Sequence, residues 1–236
     1  MPLAAHGATH PGRRITNEDA FLVDLNRGLF IVADGMGGHN AGEVASDLAI
    51  KTIGEFLTNG TLPSPDTMKK ALRRANDHIL AVATEEPDYL GMGTTVVAAL
   101  LTDRGMVYAH VGDSRAYLWR DGEFVQLTRD DTWVAAALNG AVEDAREIEQ
   151  HPMRHVLTKV VGLRPDLQPS AAEITFGTGD ALLLCSDGVH GALPEETLAA
   201  LIGAGSPVET LAERVVQQAI DHGATDNVTA IVVRRE

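Results

Sequence analysis

Apolar and polar residues follow two rhythms along this chain. Short apolar runs bounded by Gly, Asp or Pro predict strands near 20–25 and 28–33. Further runs predict strands at 94–101, 106–111, 116–119 and 124–127, near 169–176, at 181–185 and at 228–233. Runs of this length suit strands better than helices. Helical spacing instead predicts helices near 41–58 and 66–84, and again at 195–203 and 207–221. Asn40 followed by Glu43 makes a capping box for the first, and Pro63 and Pro65 separate it from the second. Asp103-Arg104-Gly105 and Asp121-Gly122 supply turns between the central strands, which predicts an antiparallel meander. Val134, Leu138, Val142 and Ile148 have helical spacing, so 132–150 reads as short helices inserted between two sheet regions. Strand blocks alternating with helix pairs predict a layered α+β fold. No linker or repeat divides residues 1–236, so a single domain is expected.

The polar residues that end these runs carry the chemistry. Asp34 follows Phe30–Ala33, Asp113 follows Val111-Gly112, Asp187 follows Leu182–Ser186, and Asp226 precedes the last run. A strand that ends in Asp places a carboxylate at the sheet rim beside backbone oxygens. Four such positions suggest one shared, all-oxygen site for hard divalent cations. Glu18 and Asp19 are sequence neighbours at a strand start, so they point to opposite faces and at most one is easily a direct ligand. Arg14, five residues before Asp19, is suited to grip phosphate oxygens. The glycines of Asp34-Gly35-Met36-Gly37-Gly38-His39 let the backbone approach an ion.

Composition narrows the classes. The 236 residues are 44% hydrophobic, which fits a folded protein with a real core. Lys plus Arg total 19 against 33 Asp plus Glu, a net charge of −14, which argues against nucleic acid or anionic membrane as partner. Cys185 is the single cysteine, so neither an internal disulfide nor a thiolate zinc site is expected. No secretion signal or membrane-length apolar run is evident, and a cytoplasmic location is expected. Other phosphate chemistries fit poorly. No Gly-Lys-Ser/Thr loop is present, and Cys185 lacks an Arg six positions on because residue 191 is Gly. Ser186 lacks a Gly-x-Ser-x-Gly elbow, and there is no His-Glu-x-x-His.

The order of motifs resembles the metal-dependent type 2C protein Ser/Thr phosphatases in their bacterial form. It is carried by Arg14-x-x-Asn17-Glu18-Asp19, Asp34-Gly35-Met36-Gly37-Gly38-His39, Gly91-Met92-Gly93-Thr94-Thr95, Val111-Gly112-Asp113-Ser114-Arg115, Cys185-Ser186-Asp187-Gly188 and Asp226-Asn227-Val228-Thr229. The resemblance implies a four-layer αββα sandwich, two antiparallel sheets flanked by helix pairs, with a flap at about 132–156. It implies Mn²⁺ or Mg²⁺, two core ions and a third. Asp34 would bridge the core ions, Glu18 and the Gly35 carbonyl would bind one, and Asp187 and Asp226 would complete the other. Asp113 and Asp187 would share the third. Asp19 would hold water, and Arg14, rather than its neighbour Arg13, would clamp the substrate phosphate. Arg154 and His155 would touch substrate from the flap. Met36 stands where the eukaryotic branch has a proton-donating His, which leaves His39 as a candidate donor. The implied activity is hydrolysis of phosphoserine and phosphothreonine in proteins by in-line attack of a metal-bridged hydroxide. The implied partners are phosphorylated substrates of a bacterial Ser/Thr kinase. A catalytically weak phosphoprotein-binding regulator and a small-molecule metallo-phosphoesterase are the alternatives.

Overall fold

The computed structural model describes residues 3–38, 41–58, 62–102, 105–137, 153 and 155–236. Its strands are β1 (Leu3–His10), β2 (Asp19–Asp24), β3 (Leu29–Met36), β4 (Gly93–Thr94), β5 (Val96–Leu101) and β6 (Met106–Val111). They continue with β7 (Arg115–Arg120), β8 (Glu123–Gln126), β9 (Ser170–Ile174), β10 (Ala181–Cys185) and β11 (Val228–Arg235). The helices are α1 (Ala41–Phe56), α2 (Pro65–Glu85), α3 (Trp133–Ala137), α4 (Asp187–His190), α5 (Glu195–Gly203) and α6 (Val208–Asp221). One sheet runs β1-β11-β10-β7-β8 and the other β2-β3-β5-β6-β9, with β4 extending the pairing of β3.

Side-chain alternation along the strands builds the layers. Leu29, Ile31 and Ala33 of β3 and Val96, Ala98 and Leu100 of β5 face α1 and α2. Their neighbours Phe30, Val32, Val97 and Ala99 face the opposite sheet, where they meet Leu182, Leu184, Ile231 and Val233. Ala181, Leu183, Val228, Ala230 and Val232 face outward under α5 and α6. Each strand thus shares its apolar side chains between two cores, which is why β3, β5, β10 and β11 read as unbroken apolar runs. The order of layers is helices, sheet, sheet, helices, as the motif resemblance implied.

Two local features have identifiable causes. Asp121 and Gly122 both adopt positive φ, 51° and 87°, the turn that joins β7 to β8 as a tight hairpin. Ser64 caps α2, its Oγ accepting the Thr67 N–H at 3.1 Å ahead of Pro65.

Four differences from the sequence reading matter. Strand β1 was not predicted, because Leu-Ala-Ala-His-Gly-Ala-Thr-His has little strand preference of its own. It forms by full antiparallel pairing with β11, from Leu3 opposite Arg235 to His10 opposite Val228. The central strands do not form one meander: β5 and β6 pair in one sheet and β7 and β8 in the other, so the chain crosses between sheets at 112–114. Asp34 does not end its strand; β3 continues to Met36 because Gly35 pairs with Thr94 and Met36 with Gly93. The short helix α4 begins at Asp187 itself. Asn40 of the expected capping box, Asp103 and Arg104 of the expected turn, and most of the 132–156 insertion lie outside the described residues.

Candidate metal centre

Strand register assembles the carboxylates. Asp19, first in β2, stands opposite Asp34 of β3. The Gly35 N–H donates to the Glu18 carbonyl at 3.1 Å, and the Thr95 N–H donates to the Asp34 carbonyl at 2.9 Å. Asp113 sits in the turn after β6, Asp187 follows the end of β10, and Asp226 immediately precedes the β11 approach. The chain therefore delivers strand ends from both sheets to one rim of the sandwich. Gly35 and Gly42 let β3 and α1 meet there: a Cβ on Gly35 would collide with the Gly42 carbonyl, and one on Gly42 would meet Glu18 Oε2 at 2.8 Å.

Crowding like charges in a dry rim raises their proton affinity. Burial first, then Asp19, Asp187, Asp113 and Asp226, hold the Asp34 carboxyl well above the usual range. Burial, then the Asp187 and Asp226 charges, push Asp19 up to about 7 against the opposing hydrogen bonds of Thr229 and Ser186. Asp113 rises to about 7 through burial, Asp187 and Asp130. Burial, followed by Asp226, raises Asp187. Burial also raises Glu18.

Partners inside the protein fix several of these groups. The Ser186 hydroxyl donates to Asp19 Oδ2 at 2.7 Å and accepts the Thr229 N–H at 3.0 Å. Asp19 Oδ1 is buried and has no partner among the described residues. Arg14 Nη2 lies 2.7 Å from Asp226 Oδ2, so of the two adjacent arginines Arg14 is the one that reaches the cluster. Its neighbour Arg13 is turned toward Gly223. His155 is exposed, and its charge lowers the Asp187 pKa, which places it beside the cluster. The proposed substrate contact Arg154 and proton donor His39 lie outside the described residues.

Among the described residues, no group of three or more His, Cys, Asp or Glu side chains is arranged to hold a metal ion as it stands. Arg14 draws Asp226, and Ser186 draws Asp19. The donor chemistry nevertheless suits hard divalent cations. It consists of carboxylates and carbonyls, it is dense in negative charge, and it leaves a buried carboxylate oxygen unpartnered.

Three supporting residues were quoted only as motif members in the sequence. Asn227, 5% exposed, accepts the Glu18 N–H on Oδ1 at 2.8 Å. Its Nδ2 donates to the carbonyls of Pro11 and Thr16 at 3.0 and 2.9 Å, which ties the Arg14 loop to the end of the chain. Ser186 is fully buried against Asp19. Arg115 makes a two-pronged ion pair with Asp130, 2.9 and 2.7 Å, next to the Asp113 turn. Only the short spacing of Ser186 and Asn227 from Asp187 and Asp226 hinted at such roles. His190, outside every quoted motif, also reaches the site: its Nε2 is 3.0 Å from the Asp113 carbonyl oxygen. Burial drives its pKa down to about 3.

The family model described as Protein phosphatase 2C matches residues 6–224. A serine/threonine phosphatase, stp, of Listeria monocytogenes is 33% identical over 237 residues, covering 97% of this chain and 94% of that protein. The crystal structure of the Mycobacterium tuberculosis serine/threonine phosphatase PstP/Ppp superposes with a TM-score of 0.92 at 34% identity, covering 99% of both chains. A second structure, the catalytic domain of PstP in complex with two manganese ions, gives a TM-score of 0.87 at 33% identity, with 98% of this chain and 97% of that one covered.

Proposed function

The chain belongs to the protein phosphatase 2C family, and from that premise we propose that it hydrolyses phosphoserine and phosphothreonine in proteins through its acidic rim. The observation that carries this reading is the convergence of Asp19, Asp34, Asp113, Asp187 and Asp226, each close enough to perturb others of the set. Asp34 would bridge two core cations, Glu18 and the Gly35 carbonyl would complete one site, and Asp187 and Asp226 the other. Asp113 with Asp187 would hold a third. Divalent cations bound here supply Lewis acidity that lowers the pKa of water and neutralises phosphate charge.

The chain's own groups do the rest. Arg14, half-exposed at the mouth of the rim, binds two phosphate oxygens and aligns the ester for in-line attack by water. Asp19 Oδ1, without a partner among the described residues, orients that water and accepts its proton. Ser186 holds the other oxygen of Asp19 and so fixes the direction of Oδ1. His155, whose charge acts on Asp187, would contact the substrate. The reaction needs no side-chain nucleophile, which leaves Cys185 as a core residue, fully buried with its thiol pushed up to about 12. Among the described residues no helix is long and apolar enough to cross a membrane. A cytoplasmic setting opposite a bacterial Ser/Thr kinase suits the proposed substrates.

The test is turnover of a phosphothreonine peptide by the purified chain. Activity should vanish with EDTA and return with Mn²⁺ or Mg²⁺, and Asp187→Asn should remove it with the fold intact. Full activity in chelator, or preference for a nucleotide monoester over the peptide, would defeat the assignment.

A further inference from the structure

We propose that His190 is a positioning residue that fixes the spacing of Asp113 and Asp187, and thereby the affinity of the cation the two share. The inference rests on reading Asp113 and Asp187 as ligands of a third cation. Asp187 is the first residue of α4 and His190 is the last, one helical turn on. The Gly191 N–H closes this turn on the Asp187 carbonyl at 2.7 Å, so His190 and Asp187 move as one unit. From that unit His190 Nε2 reaches the Asp113 carbonyl oxygen at 3.0 Å. A carbonyl only accepts, so the ring nitrogen carries the hydrogen and donates.

The turn holding Asp113 has other anchors, and none of them leads to Asp187. Gly112 exchanges two hydrogen bonds with Asp131: its N–H donates to Asp131 Oδ2 at 3.2 Å, and its carbonyl accepts the Asp131 N–H at 2.9 Å. The Ser114 hydroxyl pairs with that of Thr95 at 2.7 Å, in the second sheet. These contacts fix the turn to the β4–β5 junction and to the segment after β8. The imidazole fixes it to the element that carries the second ligand. Asp113 and Asp187 repel each other, so a short rigid strut between their backbones opposes the separation their charges favour. Hydrogen bonds behind a ligand typically change metal affinity by ten- to a hundredfold.

The test compares His190→Leu, which keeps bulk and removes the donor, with His190→Gln, which keeps a donor at similar reach. Asp113→Asn serves as the reference. Mn²⁺ binding to the whole chain is followed by titration calorimetry without substrate. His190→Leu should weaken the weakest binding event about tenfold and leave the tighter events unchanged. His190→Gln should restore most of that loss. Wild-type binding by His190→Leu, with the weakest event lost in Asp113→Asn, would overturn the strut. So would an equal weakening of every event, the mark of a general packing defect. If Asp113→Asn binds every ion as the wild type does, the ligand reading of Asp113 has failed and the strut falls with it.

Discussion

Replacing Asp34 by Asn should make the metal-free protein more stable while removing its activity. Asp34 is held above the usual carboxylate range by burial and by four neighbouring aspartates. In the unfolded chain it ionises near the ordinary value of 3.8. A folded-state pKa raised in this way gives stability that is complete below about pH 4 and is lost as pH rises through the folded value. Asp19 and Asp113, both pushed to about 7, place most of the loss between pH 4 and 7. Two like charges about 4 Å apart at an effective dielectric of about 20 repel by about 4 kcal/mol. Partial protonation of the crowded carboxylates relieves part of this. A net gain of about 2 kcal/mol at pH 7.5 is therefore expected for the Asp34→Asn variant. The assay is urea denaturation in EDTA at pH 4.5 and 7.5, repeated with saturating Mn²⁺. In EDTA the two proteins should be close at pH 4.5 and diverge at pH 7.5 in favour of the variant. With Mn²⁺ the order should reverse, because ligand binding stabilises the protein that binds it more tightly. A variant that is less stable than wild type in EDTA at pH 7.5 would refute the electrostatic reasoning.

Three further outcomes follow from single contacts. Ser186→Ala removes a donor to Asp19 and leaves the buried Thr229 N–H unpaired, so urea unfolding should show a loss of about 2–4 kcal/mol together with reduced kcat. Asn227→Ala cuts three links between the Arg14 loop and the end of the chain; it should cost about 2–3 kcal/mol and raise KM for a phosphopeptide more than it disturbs Mn²⁺ binding. Arg120→Met strips Asp180, whose side chain is 6% exposed, of a two-pronged pair at 2.8 and 2.6 Å, and should cost about 2–3 kcal/mol with activity retained. The folded Asp180 pKa is lowered, since its pairing with Arg120 outweighs burial. This contribution is therefore present above about pH 4 and fades as pH falls through the folded value, so the variant and wild type should converge in acid.

The sequence exposed the interior of this fold and the identity of its acidic set, and it hid what depends on distant partners. Strands β3, β5, β10 and β11 were legible because both of their faces are buried and their apolar runs are unbroken. Strand β1 was not, because its extended form comes from the edge of β11 rather than from its own residues. Whether β6 and β7 share a sheet is a question of three-dimensional register, and alternation within each strand is the same either way. Asp34 read as the end of its strand, yet pairing with β4 keeps the chain extended to Met36. The carboxylates were visible as punctuation after apolar runs. The roles of Ser186, Asn227 and His190 arise from contacts 167, 209 and 77 positions away in the chain, which no local pattern encodes.

Strand β11 enters the first sheet between β1, which precedes the sheet's other strands in sequence, and β10. During synthesis, β1 therefore lacks its partner in that sheet until β11 emerges. Pairing over so long a separation is slow to form. An unfinished polypeptide would present two raw strand edges and lack Asp226 and Asn227, so it would be prone to cling to other chains and unable to act on any phosphoprotein. Emergence of β11 closes the sheet and the acidic rim in one event.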